Sequence, residues 1–372
     1  MKIAFLYIAE AYQCYHGASI ALELARRPGV DVVSYYNDPQ SPHHLERIRQ
    51  AYGAEPMAYR RLKGSWLTRL LQTALRRFGM FKMLTMWDNH SELDAYDAIF
   101  AVEDTVCYAR RLGITHPKLI LLPHGFGDRA RGFTHHTKGF DFVLVAGPKI
   151  AKRMLEQTLV SPDGYAMVGA VKLDVCAQLQ RAQAPLFKDT GPIVLYNAHK
   201  APKLTSWSRF IAPMLDDFAA QDDFNLIVAP HVKMFRRQQS GLRASWEARG
   251  TDRILIDTSS DRLLDMTYTS AADIYVGDVS SQVYEFLATP RPCVFLNAHG
   301  IKWQGDPNFA HWQLGDVIDD PKDLMPAIRA APARHALYRA KQEDLAAASL
   351  GERQGATIRA ADAILGFMGA SY

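Results

Sequence analysis

Residues 270–297 read SAADIYVGDVSSQVYEFLATPRPCVFLN. A short apolar run, Ile274 to Val276, leads into Gly277 and Asp278, then the Ser280-Ser281 pair and a helical stretch. Pro290-Arg291-Pro292 closes the helix, and a second apolar run, CVFL, follows. Neither run alternates polar with apolar. Two such runs separated by a helix are the signature of parallel strands buried on both faces.

The same unit recurs in both directions. Upstream lie PIVLYNAHK, FNLIVAPHV and DRILIDT, and PCVFLNAHG ends the series. Nearer the start, the run Ile3 to Ile8 precedes a helical pattern from His16 to Arg27 and a second run from Val30 to Tyr35. DAIFAVED, KLILLPHG and FDFVLVAG continue it. The alternation pauses over Gln178 to Pro192, a charged, Pro-bearing segment that reads as a linker. The expected fold is α/β, with two Rossmann-like parallel-sheet domains and a cleft between them. The expected domains are 1–182, 190–351 and a C-terminal helix over 352–372 that packs back across the junction. In such sheets ligands bind beyond the carboxyl ends of the strands, so the residues there carry the functional reading.

Composition narrows the classes. The chain has 372 residues, 48% hydrophobic and 22% charged, which suits packed cores and excludes a disordered or disulfide-stapled chain. Its 43 Lys and Arg against 39 Asp and Glu leave +4, too small an excess to indicate a nucleic-acid partner. Cys14, Cys107, Cys176 and Cys293 are scattered, without metal-finger spacing, and read as reduced thiols of a cytoplasmic protein. The adjacent pairs His43-His44 and His135-His136 lack helix-face ligand spacing, so no metal site is expected. Glu10 interrupts the first apolar run before any cleavage site, and no run reaches the roughly 18 apolar residues of a membrane span.

Three strand ends stand out. In LLPHGFGDR, His124 and Gly125 open a loop that also holds Asp128 and Arg129. An imidazole titrates near neutral pH and suits general-base work, although a His can equally serve a turn. In LIVAPHVK, His231 and Lys233 offer positive groups for a phosphate, or belong to an ordinary surface loop. The third is the opening stretch. Asp278 or Ser280 would cap its helix; Gly277, Ser280, Ser281 and the free N–H groups would hold a pyrophosphate; and Glu285 would take the ribose hydroxyls.

One segment breaks the pattern. Residues 60–87 carry Arg60, Arg61, Lys63, Arg69, Arg76, Arg77 and Lys82 with no acidic residue, and leucines recur at spacings of three and four. This fits a basic amphipathic helix on an anionic membrane surface, with Arg69, Arg76, Arg77 and Lys82 as its contacts. It also fits a core-facing helix with a basic outer face.

Taken together, Asp278, Ser280-Ser281, Glu285 and the RPCVF strand resemble the core motif of the CDP-glycerol glycerophosphotransferases, the teichoic-acid polymerase group of the GT-B superfamily. His124-Gly125 is similar to that family's acceptor-side His-Gly, and Pro230-His231 to its donor-side Pro-His-Pro. Phe126, Gly127, Asp128 and Arg129 stand where a Thr and a Lys are usual, and Val232 replaces the second Pro. The resemblance implies that an acceptor hydroxyl, on a glycan or lipid carrier, attacks the β-phosphorus of CDP-glycerol and CMP leaves. His124 would be the base, His231 with Lys233 would neutralise phosphate charge, and the enzyme would work at the cytoplasmic face of a membrane without a resident cofactor. The Ser pair and carboxylate are also similar to those of NDP-sugar epimerases. An NDP-sugar glycosyltransferase, an epimerase and a non-catalytic nucleotide-binding protein therefore remain alternatives.

Overall fold

The computed structural model describes residues 1–70, 80–124, 133–181, 184–235, 238 and 240–369, apart from the side chains of Leu67 and Arg69. They form two compact units. The first comprises the described residues of 1–124, 133–179 and 348–369, and the second those of 180–347.

The first unit holds a seven-stranded sheet. Its strands are β1 Lys2–Tyr7, β2 Asp31–Tyr36, β3 Ala58–Arg61, β4 Ala98–Ala101, β5 Lys118–Leu121, β6 Phe142–Val145 and β7 Tyr165–Met167. They are all parallel, in the order β3-β2-β1-β4-β5-β6-β7. Every residue of β4 and β6 is buried. The helices of this unit include α1 Cys14–Ala25, α2 Ser41–Ala51, α3 Trp66–Leu70 and α4 Phe81–Asp88.

The second unit repeats the design with β8 Ile193–Asn197, β9 Asn225–Val228, β10 Ile254–Ile256, β11 Ile274–Gly277, β12 Cys293–Leu296 and β13 Asp316–Ile318. Their order is β10-β9-β8-β11-β12-β13, again parallel. Helix α5, Trp207–Ala219, buries Phe210, Met214 and Phe218 on this sheet. Both orders reverse direction once, between β1 and β4 and between β8 and β11. Those are the switch points where such sheets bind ligands.

Two segments depart from expectation. Residues 60–87 are not one helix: Arg60 and Arg61 close β3, and only then do α3 and α4 appear, on either side of residues 71–79. The last helix, α6 Ala356–Phe367, lies nearer the end than residue 352 and returns to the first unit. There Ser19 Oγ meets Thr357 Oγ1 at 2.9 Å, and Phe142 stacks on Phe367. Gly351, with φ 65°, makes the left-handed turn that sends the chain back. Among the described residues no helix is long and apolar enough to cross a membrane.

Candidate functional site

In the first unit, His124 lies just beyond the end of β5, after Leu122 and Pro123. Its Nδ1 lies 3.0 Å from the carbonyl oxygen of Val102, which can only accept, so Nδ1 carries the proton. The neutral ring therefore keeps its lone pair on Nε2. The Tyr12 hydroxyl, on a short 3-10 turn before α1, donates to that lone pair at 3.1 Å. A base end is thus exposed and already paired with a hydroxyl.

Basic groups gather behind it. His16, buried on α1, faces His124 edge-on at 6.4 Å between ring centroids. Burial first, then the nearby Lys172 and His124, hold the His16 ring well below its ordinary pKa. Glu103, beyond β4, accepts from Gln13 Nε2 at 3.2 Å and Thr105 Oγ1 at 3.0 Å, and pairs with Lys82 Nζ at 2.7 Å. Lys82 is thereby tied to the sheet end. Gly125, Asp128, Arg129, Arg76, Arg77 and the side chain of Arg69 lie outside the described residues.

The second unit presents the opposite histidine chemistry. His231 Nδ1 accepts the backbone N–H of Lys233 at 3.1 Å, so its proton sits on Nε2. Burial, then the neighbouring His199, Lys200 and Lys233, push its pKa down to about 3. The ring is neutral at pH 7. In this state it can donate a hydrogen bond to a phosphate from Nε2. His199 follows β8, and its Nδ1 accepts Ala201 N–H at 3.0 Å, which again places the proton on Nε2. The two rings pack edge-to-face, 5.8 Å apart.

Asp278 organises this corner. Its carboxylate accepts from the N–H of His199 at 2.8 Å, of Val279 at 2.7 Å and of Ser206 at 2.7 Å, and from Ser206 Oγ at 2.8 Å. Trp312 Nε1 donates to its carbonyl oxygen at 2.9 Å. Burial raises its pKa to about 6 against the pull of these donors. Asp278 is therefore no helix cap. It joins the end of β8, the start of α5 and the end of β11.

Gly277 has a packing reason as well. A Cβ there would come within 2.8 Å of Asn197 O and 2.7 Å of Tyr275 Oη. Ser280 is buried and weakly accepts Gln282 N–H at 3.3 Å. Ser281 is exposed and precedes the short helix Gln282–Phe286 without capping it, and Glu285 is half-buried within that helix.

Of the residues singled out from sequence, the structure brings His231, Lys233 and Asp278 to one corner of the second unit. Tyr12, His16, Lys172 and His199 were not singled out. A signal for His199 existed, because NAHK ends an apolar run as APHVK does. Tyr12 and His16 lie within or beside a helical pattern, and nothing in periodicity marks them.

Comparison with protein-family models gives no match, and none is found among curated proteins. Solved structures do match. A putative UDP-N-acetylglucosamine 2-epimerase from Listeria monocytogenes superposes with a TM-score of 0.69 at 12% identity, covering 100% of this chain and 97% of the other. UDP-GlcNAc 2-epimerase from Neisseria meningitidis, bound to UDP-GlcNAc, gives 0.65 at 12%, with 98% and 100% covered. The wall teichoic acid polymerase TagF gives 0.67 at 11%, with 99% and 89% covered. The chain has the GT-B fold. At these identities the likeness concerns the backbone, and the chemistry of the site has to be argued from its own residues.

Proposed function

We propose that the protein is an enzyme acting on a nucleotide-activated substrate, with the nucleotide held by the second unit and His124 of the first acting as base. The observation that carries this reading is the pair of opposite histidine tautomers. His124 offers a lone pair to a proton, whereas His199 and His231 offer N–H groups to oxygen. Such donors beside Lys233 suit a diphosphate, and Ser280, Ser281 and Glu285 would complete the nucleotide contacts. Asp278 and Gly277 act by position, not by contact.

In the transferase form, an acceptor hydroxyl gives its proton to His124 Nε2 and its oxygen bonds to the β-phosphorus of CDP-glycerol. The bond to the leaving phosphate breaks, and CMP departs with that electron pair. Alignment and charge stabilisation supply most of the acceleration in such a reaction. The Tyr12 hydroxyl already sits where such a proton donor would. The resemblance of Asp278 to Glu285 to the glycerophosphotransferase motif supports this form.

The second reading is an NDP-sugar epimerase, in which the base takes a carbon-bound proton of the sugar. Its support is at least as strong, since the GT-B structures compared include two described as UDP-GlcNAc 2-epimerases. One experiment separates the readings. The protein is incubated in D2O with CDP-glycerol and a hydroxyl acceptor, and separately with UDP-GlcNAc. Release of CMP with transfer of glycerophosphate to the acceptor supports the transferase, whereas deuterium at the sugar C2 with inversion supports the epimerase. With the acceptor added to the UDP-GlcNAc incubation, release of free UDP with transfer of the sugar to the acceptor indicates a glycosyltransferase. Nucleotide binding without turnover of any donor would leave a binding protein.

A further inference from the structure

Strand β4 runs out at Ala101, and the chain soon enters the 3-10 helix Asp104–Leu112. Two histidines hang on this stretch. The Val102 carbonyl orients His124, and two residues on, the Asp104 carboxylate orients His136, whose Nδ1 lies 3.1 Å from Oδ2. A carboxylate only accepts, so Nδ1 carries the proton and Nε2 keeps its lone pair. That lone pair faces the Tyr108 hydroxyl at 3.0 Å. Hydroxyl, imidazole and carboxylate thus stand in the order of a nucleophile, its base and the group that orients the base.

The cluster is held from several sides. Thr134 Oγ1 donates to the same Asp104 oxygen at 2.9 Å. His136 belongs to the short turn His135–Gly139, and Gly139 lets that turn lie on the 3-10 helix, because a Cβ there would come within 2.7 Å of Cys107 Cβ. The Tyr108 and His136 rings meet edge-on, 5.3 Å apart. Arg111, one turn along the helix, sets its guanidinium 5.7 Å from the Tyr108 ring centroid, where it favours negative charge developing on the phenol. Tyr108 is half-buried, and the His136 and Asp104 side chains are 41% and 36% exposed, so the cluster opens to solvent. A carbonyl carbon is the electrophile this set suits. One nucleophile and one base serve it, whereas a transferring phosphoryl group needs cations around its three oxygens.

We propose that Tyr108, His136 and Asp104 form a second reaction centre, which takes acyl groups from activated esters such as thioesters and aryl esters. Tyr108 Oη bonds to the acyl carbon as its proton passes to His136 Nε2. The bond to the leaving group breaks, and the thiol or alcohol departs with that electron pair and the proton from His136. The acyl group stays on Tyr108 as a phenyl ester. Water, giving a proton to His136, then attacks that ester; the carboxylic acid leaves, and the departing phenolate takes the proton back. Asp104 touches no substrate. It is a positioning residue that fixes the tautomer and stabilises the imidazolium while it lasts.

p-Nitrophenyl acetate on the full chain tests the proposal. Stopped-flow absorbance should show a burst of about one equivalent of p-nitrophenolate, the mark of an accumulating acyl-enzyme. Peptide mass spectrometry of acid-quenched samples should find the acetyl group on Tyr108. Tyr108→Phe should lose both the burst and the adduct. His136→Gln should slow acetylation of Tyr108 by about two to four orders of magnitude, the range of general-base catalysis. Asp104→Ala should slow it about tenfold, the worth of one hydrogen bond to a charged group, and Asp104→Glu should recover part of the rate. Tyr12, whose histidine is oriented by a carbonyl in place of a carboxylate, should acetylate more slowly than Tyr108.

A burst of full size in Tyr108→Phe would overturn the proposal, as would a wild-type protein with no burst. Acetylation of Tyr108 at an unchanged rate in His136→Gln, with its thermal transition intact, would remove His136 as the base and overturn it too. CMP binding, measured on the same samples, reports on the second unit and should not change in Tyr108→Phe. Its failure in the wild type would therefore count against the proposed function and not against this centre.

Discussion

His124 and His231 carry the same ring in opposite protonation patterns, and one backbone contact at each Nδ1 decides which. A carbonyl at His124 and an N–H at His231 set the tautomers without any ligand. His124→Ala should therefore lower turnover by about two to four orders of magnitude while nucleotide affinity stays nearly constant. Tyr12→Phe should alter the pH–rate profile more than nucleotide affinity, because it removes the O–H that meets Nε2. Steady-state kinetics with parallel calorimetry checks both, and wild-type turnover in His124→Ala would make that residue a turn element.

His231 also predicts a pH dependence of stability. Its folded pKa, about 3, lies below the ordinary 6.5, so its neutral form stabilises the fold fully above about pH 6.5. That contribution is lost as pH falls toward 3. Asp278 runs the other way: its raised value, about 6, favours the fold below about pH 4, and the contribution is gone above 6. His231→Gln does not titrate. Between pH 8 and pH 5, its urea midpoint should fall less than that of the wild type. An equal fall in both would show that His231 is protonated in the fold.

At the scale of elements, the β11 end works because strand, glycine and carboxylate act together. Gly277 lets β11 lie against β8 at Asn197, and Asp278 then reaches three backbone N–H groups. Gly277→Ala forces a methyl into that contact and should cost about 1–3 kcal/mol, the usual penalty of overpacking. Denaturant titration measures it, and nucleotide affinity should fall with it because the His199 loop hangs on Asp278. Replacing Ser280 and Ser281 together by Ala, or Glu285 by Ala, tests the contacts themselves. About tenfold weaker nucleotide binding per lost contact is expected in calorimetry, with the urea midpoint unchanged.

Element boundaries show where local pattern runs out. The apolar runs around β1, β4, β6, β8, β9, β11 and β12 were legible because each is buried on both faces. β3, β7 and β13 were not, and each lies at the edge of its sheet; the remaining edge strand, β10, was legible because its ILI run is apolar and largely buried. The residues of those three are largely exposed or half-buried, as in AYRR and YAM. An edge strand is recruited by its neighbour's hydrogen bonds, so its own sequence needs no apolar signal.

For the whole molecule, the return of α6 makes the first unit discontinuous in sequence. Ala360, Ala361, Ile364 and Leu365 are buried in it, and Thr357 N–H donates to Asp174 at 2.8 Å. Ile364→Ala should destabilise the first unit by about 2–5 kcal/mol, as large-to-small core changes do. Urea unfolding followed by near-UV dichroism measures the loss. Nucleotide binding by the second unit should persist at urea concentrations where the variant's first transition has passed. Simultaneous loss of both would show that the units unfold as one.

Sequence alone determined the α/β class, the two sheets and the strand-end positions of His124, His231 and Asp278. Those features are local, because burial on both faces writes itself into consecutive residues and turn chemistry into the residues that follow. Tertiary structure alone decided what the side chains do. Whether a histidine is a base or a donor depends on a carbonyl or an N–H that the ring meets, and for His124 that partner, Val102, comes from another strand end. Whether Asp278 binds a ligand or braces three segments depends on Ser206 and His199, far away in the chain. Whether Lys82 is free depends on Glu103. Such pairings are set by which strands lie side by side, and no window of neighbouring residues contains that information.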